Sequence, residues 1–161
     1  ALAISDRIAI MNNGKLEQVG SPEEVYTKPA NAFVANFIGT SSFINGFAKN
    51  GAVELLGTGK IPANIRPDFE GAVTVALRPE HASLQEEKSG ELCGTISMAT
   101  FLGSYVNYEV QLDEGPLLEI HDMQSVSRRW IMGQRVSVIP GTAQLIAFDQ
   151  KSGCSVMNST L

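Results

Sequence analysis

From Tyr105 to Leu112 apolar and polar residues alternate without a break, with Val106, Tyr108, Val110 and Leu112 set against Tyr105, Asn107, Glu109 and Gln111. Side chains two apart share one face of a β-strand, so this segment is predicted as a strand with one side in a core and the other toward water. Asp113-Glu114-Gly115-Pro116 supplies a turn. Leu117 to Asp122 follows as a second strand with Leu118 and Ile120 on a common face.

Similar segments recur along most of the chain. Phe43 to Ala48 and Ala52 to Leu56 read as strands joined at Asn50-Gly51, residues that suit a tight turn. Gly57 to Gly71 is rich in Gly, Pro and Asn and reads as a loop with one edge strand near Ile61. Ala72 to Leu77 is a strand with Val73, Val75 and Leu77 on one side, closed by Pro79. Gln85 to Gly90 reads as a polar turn, and Leu92 to Leu102 as a long strand with Ile96 and Met98 on one face. Gly103-Ser104 turns the chain. Arg135 to Ile139 is a strand stopped by Pro140-Gly141, and Ala143 to Phe148 is the last. The polar tail from Gln150 is expected to fray. Roughly seven or eight short strands between Gly/Pro turns predict a mainly β fold, an antiparallel barrel or sandwich. An OB-type barrel is the small closed version of that arrangement, and periodicity alone does not separate the two.

The front of the chain has a different texture. Arg7 to Met11 is a short apolar run, Asn12-Asn13-Gly14 a hairpin turn, and Lys15 to Val19 an alternating strand ended by Gly20. Ser21-Pro22-Glu23-Glu24 has the marks of a helix start, with a hydroxyl cap, proline at the first helical position and a carboxylate placed for a capping box. Pro29 ends that helix and Asn31 caps another. In the second helix Phe33/Phe37 and Val34/Ile38 are pairs four apart, and Gly39 is expected to stop it. The first residue is Ala1 rather than methionine, so the chain reads as part of something longer.

With these residues in view, the stretch SDRIAIMNNGKLEQVGSPEEVYTKPANAFVANFIG, Ser5 to Gly39, resembles the end of the ATP-binding subunit of bacterial ABC importers. The match is dense from Ile4 to Gly39, most specific in PANAFVANFIG, and continues more loosely through VALRPEH at Val75 to His81 and FLGSYVNYEV at Phe101 to Val110. In that family such a run closes the nucleotide-binding domain, just after the histidine that contacts the γ-phosphate. A regulatory transport-associated OB (TOBE) domain then follows. The resemblance therefore implies three parts: residues 1–39 as the tail of the nucleotide-binding domain, 40–149 as an OB-like barrel, and 150–161 as a polar tail. It also implies a role in steadying and tuning the ATPase dimer of an importer for a small solute. Polyamine import is favoured, and ferric iron and sugars belong to close relatives. The parent would use ATP and Mg, act against transmembrane permease subunits, and lie in the cytoplasm on the inner face of the plasma membrane.

Little in the chain itself looks catalytic. A phosphate loop needs a first glycine, then Gly-Lys followed by Ser or Thr. The nearest approach, Gly57-Thr58-Gly59-Lys60-Ile61, has Ile61 in place of the hydroxyl and Glu54 in place of the first glycine. No other phosphate loop, signature run or paired-acid strand is visible, so the chain alone is expected neither to bind nor to hydrolyse ATP. His81, His121, Cys93 and Glu80 lack the spacing of a metal site, and no cofactor or metal is expected. Cys93 and Cys154 show no CxxC pattern. No apolar run approaches the ~18 residues that a membrane helix needs.

The interface and regulatory candidates are Phe33, Phe37 and Ile38 on the second helix, the tripeptide Arg78-Pro79-Glu80, and Gly103 with Tyr105. Arg78-Pro79-Glu80 matches a recurrent tripeptide of the regulatory domain. It reads either as a turn that organises a contact between domains or subunits, or as a strand stop where Arg78 and Glu80 pair locally. Gly103 and Tyr105 read as a turn whose ring covers the barrel end. Cut loose from a parent, the Phe33/Phe37 and Val34/Ile38 faces would be exposed, which predicts a homodimer. Two alternatives stay open. One is a sensor of oxyanions or other small ligands, with Thr100 to Tyr105 and the Lys60 loop contributing. The other is a nucleic-acid-binding OB protein, hinted at by Arg128-Arg129 beside Trp130. The net charge of −5 argues against the last, so no nucleic-acid partner is expected.

Overall fold

The structure, a computed structural model, describes residues 2–56, 58–123 and 129–159. Ala1, Gly57 of the phosphate-loop lookalike and Arg128 of the basic pair lie outside the described residues.

The front segment is a hairpin followed by two helices. Strands β1 (Ile8–Asn12) and β2 (Lys15–Gly20) pair antiparallel across Asn13 and Gly14, both at positive φ as the turn requires. Helix α1 (Pro22–Thr27) opens with the full reciprocal capping box between Ser21 and Glu24, and α2 (Ala32–Ile38) is capped by the Asn31 side chain. Ile10 of β1, Val25 of α1 and Val34 of α2 form a small closed cluster, flanked by Ile8 and Ile38. Two side chains of β2 hold the helices in place. Gln18 donates to the Lys28 carbonyl and accepts from the Ala30 amide, and Glu17 accepts from Asn31.

Among the described residues, ten further strands form two antiparallel sheets. One contains β3 (Ser42–Lys49), β4 (Ala52–Leu55), β5 (Lys60–Pro62), β6 (Gly71–Leu77) and β12 (Ile146–Asp149), in the order β12-β6-β3-β4-β5. The other contains β7 (Ala82–Glu86), β8 (Leu92–Phe101), β9 (Val106–Leu112), β10 (Leu117–Asp122) and β11 (Arg135–Pro140), in the order β10-β9-β8-β11-β7. This second sheet curls until its edge strands β7 and β10 come together, giving an OB-like half-barrel. Val73, Val75 and Leu77 of one sheet and Val110, Leu118, Ile120 and Val138 of the other share one core, so the two sheets are a single packed unit.

Some of the expected elements differ in the structure. Gln85 to Gly90 is not simply a turn, because Ala82–Glu86 is strand β7, paired to β11. Only Ala82 and Leu84 of this edge strand are partly buried against the core, so its sequence reads as polar. Met98 does not share the face of Ile96. A bulge between them shifts the register, leaving Ile96 buried and Met98 half exposed. The tail from Gln150 does not fray over its described length. Ser155 donates to the Ala30 carbonyl, Val156 to that of Ala147 and Asn158 to that of Asn64. Val156 is buried, so the tail ties the front segment to the barrel.

Gly39 is the C-cap of α2, but its φ of −166° is extended and not the left-handed stop that sequence suggests. Its lack of a side chain has another cause. A Cβ there would stand 2.5 Å from Nη1 of Arg78.

Candidate functional site

Strand β6 sends alternate side chains to opposite sides. Leu77 points into the barrel core, whereas Ala76 packs with Ala35 of α2, Ile146 and Phe148. Arg78, two residues on from Ala76, follows the face that meets the front segment. Pro79 then starts a 3-10 turn, Pro79–His81, which carries Glu80.

Arg78 is 3% exposed. Its Nη2 donates to the carbonyl of Tyr26 in α1 at 3.0 Å, and its guanidinium carbon lies 3.8 Å from the centre of the Tyr26 ring. The Tyr26 hydroxyl donates to Glu80 Oε1. Arginine and glutamate therefore grip one tyrosine from the barrel side. Beside their local electrostatic interaction, Arg78 and Glu80 thus share a contact across the joint. Burial pushes the Glu80 carboxyl up, but the hydrogen bonds from Tyr26 and from its own backbone amide, with the nearby Arg78 guanidinium, outweigh it and hold the group below the usual range. The Tyr26 phenol is raised, first by burial and then by its bond to the Glu80 carboxylate.

Tyr26 is the residue that sequence reasoning missed. Its one signal is an aromatic ring in a short helix whose first turn is acidic, Glu23 and Glu24, and the partner that gives it meaning is 52 positions away. The buried polar atoms Arg78 Nη1 and His81 Nδ1 have no hydrogen-bond partner among the described residues. Both residues line a cleft of about 390 Å³ beside the joint.

The other sequence candidates are scattered. Phe33 and Phe37 stack at 5.8 Å between ring centres and face outward, Phe37 at 65% exposure. Their neighbours on α2 behave differently from expectation: Val34 is fully buried and Ile38 half-buried, because the β1–β2 hairpin and α1 cover that face. Only the phenylalanine face is open. Gly103, at φ 88°, makes the β8–β9 turn, and the half-buried Tyr105 packs on His121 at 4.5 Å between ring centres. Thr100 to Tyr105 and Lys60 lie in different sheets. Trp130 is folded into the barrel core, and Arg129 lies over Phe101 at 5.2 Å. Cys93 contacts Lys88 and Ser137, and both cysteines are free. Among the described residues no three His, Cys, Asp or Glu side chains gather as a metal site would require.

Comparison with known proteins adds three findings. The TOBE domain family matches residues 75–148. Across 92% of its length the chain is 41% identical to the spermidine/putrescine import ATP-binding protein PotA of Ruegeria pomeroyi, of which it covers 43%. It is 32% identical over 74% of its length to the Fe(3+) ions import ATP-binding protein FbpC of Fusobacterium nucleatum, of which it covers 33%. The chain thus spans well under half the length of these curated relatives. Among solved structures it is similar to the cytoplasmic molybdate-binding protein ModG with molybdate bound. The TM-score is 0.53 at 14% identity, covering 66% of this chain and 94% of that one. At that identity the likeness concerns the fold alone.

Proposed function

We propose, from the premise that this chain carries the TOBE domain of ABC-importer ATP-binding subunits, that it acts as the C-terminal regulatory portion of such a subunit. Residues 1–39 close the nucleotide-binding domain, residues 40–149 form the regulatory barrel, and the barrel steadies the paired ATPase and tunes its opening and closing. The observation that carries this reading is the grip of Arg78 and Glu80 on Tyr26. It fastens the barrel to a helix of the front segment, so a movement of one is passed to the other.

No step of ATP hydrolysis is assigned to these residues. ATP and Mg belong to the parent subunit, and the chain alone neither binds nor hydrolyses ATP. The solute is of polyamine type, in line with the spermidine/putrescine relatives, and ferric iron is the second choice, in line with the other. Permease subunits at the inner face of the plasma membrane are the partners of the parent. The exposed Phe33/Phe37 pair is the proposed pairing surface of a homodimer.

Two measurements test this. Light scattering of the chain is expected to give a dimer that Phe33→Asp dissociates, and a monomer for the unmutated chain overturns the homodimer. In the full-length subunit, Tyr26→Phe is expected to leave ATP binding intact while changing the ATPase rate severalfold. An unchanged rate overturns the regulatory role.

A further inference from the structure

Residues 153–158 run back over the joint as a strap. Ser155 donates to the carbonyl of Ala30 in the α1–α2 link at 2.9 Å, Val156 to that of Ala147 in β12 at 3.0 Å, and Asn158 to that of Asn64 in the β5–β6 loop at 2.8 Å. Arg66 donates back to the Val156 carbonyl at 3.0 Å. The isolated bridges Asn31–Cys154, Phe148–Ser155 and Ile65–Met157 follow the same path. The strap therefore joins the front segment, the edge strand β12 and a barrel loop by main-chain bonds.

Little side-chain burial backs those bonds. Of residues 153–158, all of them described, Val156 alone is buried. Ser155 and Met157 line the cleft of about 390 Å³ together with Lys28 and Pro29 of the α1–α2 link, so packing between strap and link is incomplete. A segment held by backbone bonds and one buried side chain belongs to the part of a fold that opens first. The base of the strap is better secured. The Asp149 carboxylate accepts from the Lys151 and Ser152 amides and from the Ser152 hydroxyl, and Gly153, at φ 73°, starts the strap beyond that turn. The front segment depends on its moorings. Its helices have six and seven residues and its sheet two strands, and elements of that size are marginal alone in water.

We propose that residues 153–158 are a releasable strap, which opens as a unit without the barrel and, when open, loosens the front segment on the barrel. Seated, it reinforces the grip of Arg78 on Tyr26 and the packing of Ala35 on Ala76. Released, it gives up the bond to Ala30 and the bridge to Asn31, and the α1–α2 link loses that main-chain tie to the barrel side. The fraction of time the strap spends open then sets how firmly the two parts are coupled. The proposal concerns the mechanics of this chain and stands or falls independently of the transporter reading.

Amide hydrogen exchange of the 161-residue chain tests it. The Ser155, Val156 and Asn158 amides are expected to share one opening, at least about tenfold more frequent than that of β9, which is paired on both sides. The Val25 and Ala35 amides, bonded within the front segment on fully buried residues, are expected to follow the strap. A disulfide then locks it. The bond from Ser155 to Ala30 makes Asn31–Cys154 a non-hydrogen-bonded pair, whose Cα atoms lie about 4.5 Å apart, within reach of a disulfide. In the double variant Asn31→Cys, Cys93→Ser, oxidation joins position 31 to Cys154, and the reduced form of the same variant cancels the lost Asn31 cap. Oxidation is expected to slow the Ser155, Val156, Val25 and Ala35 amides at least about tenfold, until they exchange no faster than β9. Val156→Ala reads the same link in the opposite direction and should speed the strap, Val25 and Ala35 amides by a common factor of about tenfold. The proposal is overturned if the strap of the native chain exchanges only together with β9. It is also overturned if Val25 and Ala35 exchange equally fast in the oxidised and reduced variant, or if Val156→Ala speeds the strap and leaves them unchanged.

Discussion

Gly39→Ala isolates the Arg78 joint, because the backbone there gives an alanine nothing to resist. At φ −166° and ψ 158° any residue is comfortable. The new methyl group would stand 2.5 Å from Arg78 Nη1, closer than non-bonded atoms approach. The far end of a long side chain normally steps aside at little cost. Arg78 is 3% exposed, with its guanidinium on the Tyr26 ring and Nη2 on the Tyr26 carbonyl, so stepping aside disrupts both contacts. A hydrogen bond from a charged group contributes about 1.5–3 kcal/mol, and a cation–π contact about 0.5–2 kcal/mol. The reduced freedom of an unfolded alanine returns about 0.4–1 kcal/mol. The net expectation is a loss of roughly 2 kcal/mol, or about 4–8 °C in Tm for a chain of this size. Urea unfolding of the native chain, Gly39→Ala, Arg78→Ala and the double variant closes the cycle. Coupling is expected: with Arg78 truncated, Gly39→Ala should be neutral or slightly stabilising. An equal cost in both backgrounds would refute the reasoning, since the loss would then have nothing to do with the arginine.

Tyr26→Phe should flatten the pH dependence of stability at both ends. The Glu80 carboxyl is lowered in the fold, so its contribution is present above the ordinary carboxylate pKa of about 4.3 and is lost as pH falls below it. The Tyr26 phenol is raised, so its contribution is present below about pH 10 and is lost as pH rises through the folded value. Chemical denaturation across pH should show both slopes shrinking in the variant, and unchanged slopes would remove Tyr26 from the joint. Tyr108→Phe takes away the buried hydroxyl that accepts from the Trp130 backbone amide, and should cost about 1–2 kcal/mol in urea unfolding with the fold retained. Gly94→Ala brings a methyl group to 2.6 Å from the Gln111 carbonyl oxygen, backbone that is locked into β9, and should cost about 1–3 kcal/mol or more. Calorimetry reads that loss as a lower Tm.

The legible parts of this chain were those whose cause is local. Asn13-Gly14 and Asn50-Gly51 turn the chain because both residues of each pair take positive φ. The alternation from Val106 to Leu112 survives as burial on one face, and Ser21 with Glu24 closes its capping box within a single turn. What was missed depends on partners far along the chain. Strand β7 exists because β11 offers it an edge, some 50 residues later. The bulge near Met98 inverts a face that strict alternation would keep constant. The tail from Gln150 looks like a frayed end until Ala30, Asn64 and Ala147 supply acceptors for its amides. The candidate site divides in the same way. Arg78 and Glu80 were visible as a tripeptide, but Tyr26, which makes them a joint, has no periodic or motif signal at all.

The position of Arg78 at the end of β6 gives the joint a mechanical character that its few contacts alone would not. Leu77 is anchored in the barrel core and Pro79 is buried, so the backbone on both sides of Arg78 is held. Strand β6 pairs with β3 and β12 and sits in the interior of its sheet rather than at an edge. A force on Tyr26 is therefore delivered to an interior strand and not dissipated in a loop. Below it, the next residue on the same face, Ala76, touches Ala35 of α2, so both helices of the front segment bear on one strand. The linker between them is short, Gly39 to Ser41, and its glycine is pinned against the arginine. Helix α1 and the linker thus meet the end of the strand at a single buried cation, and α2 rests on the same strand one step below it.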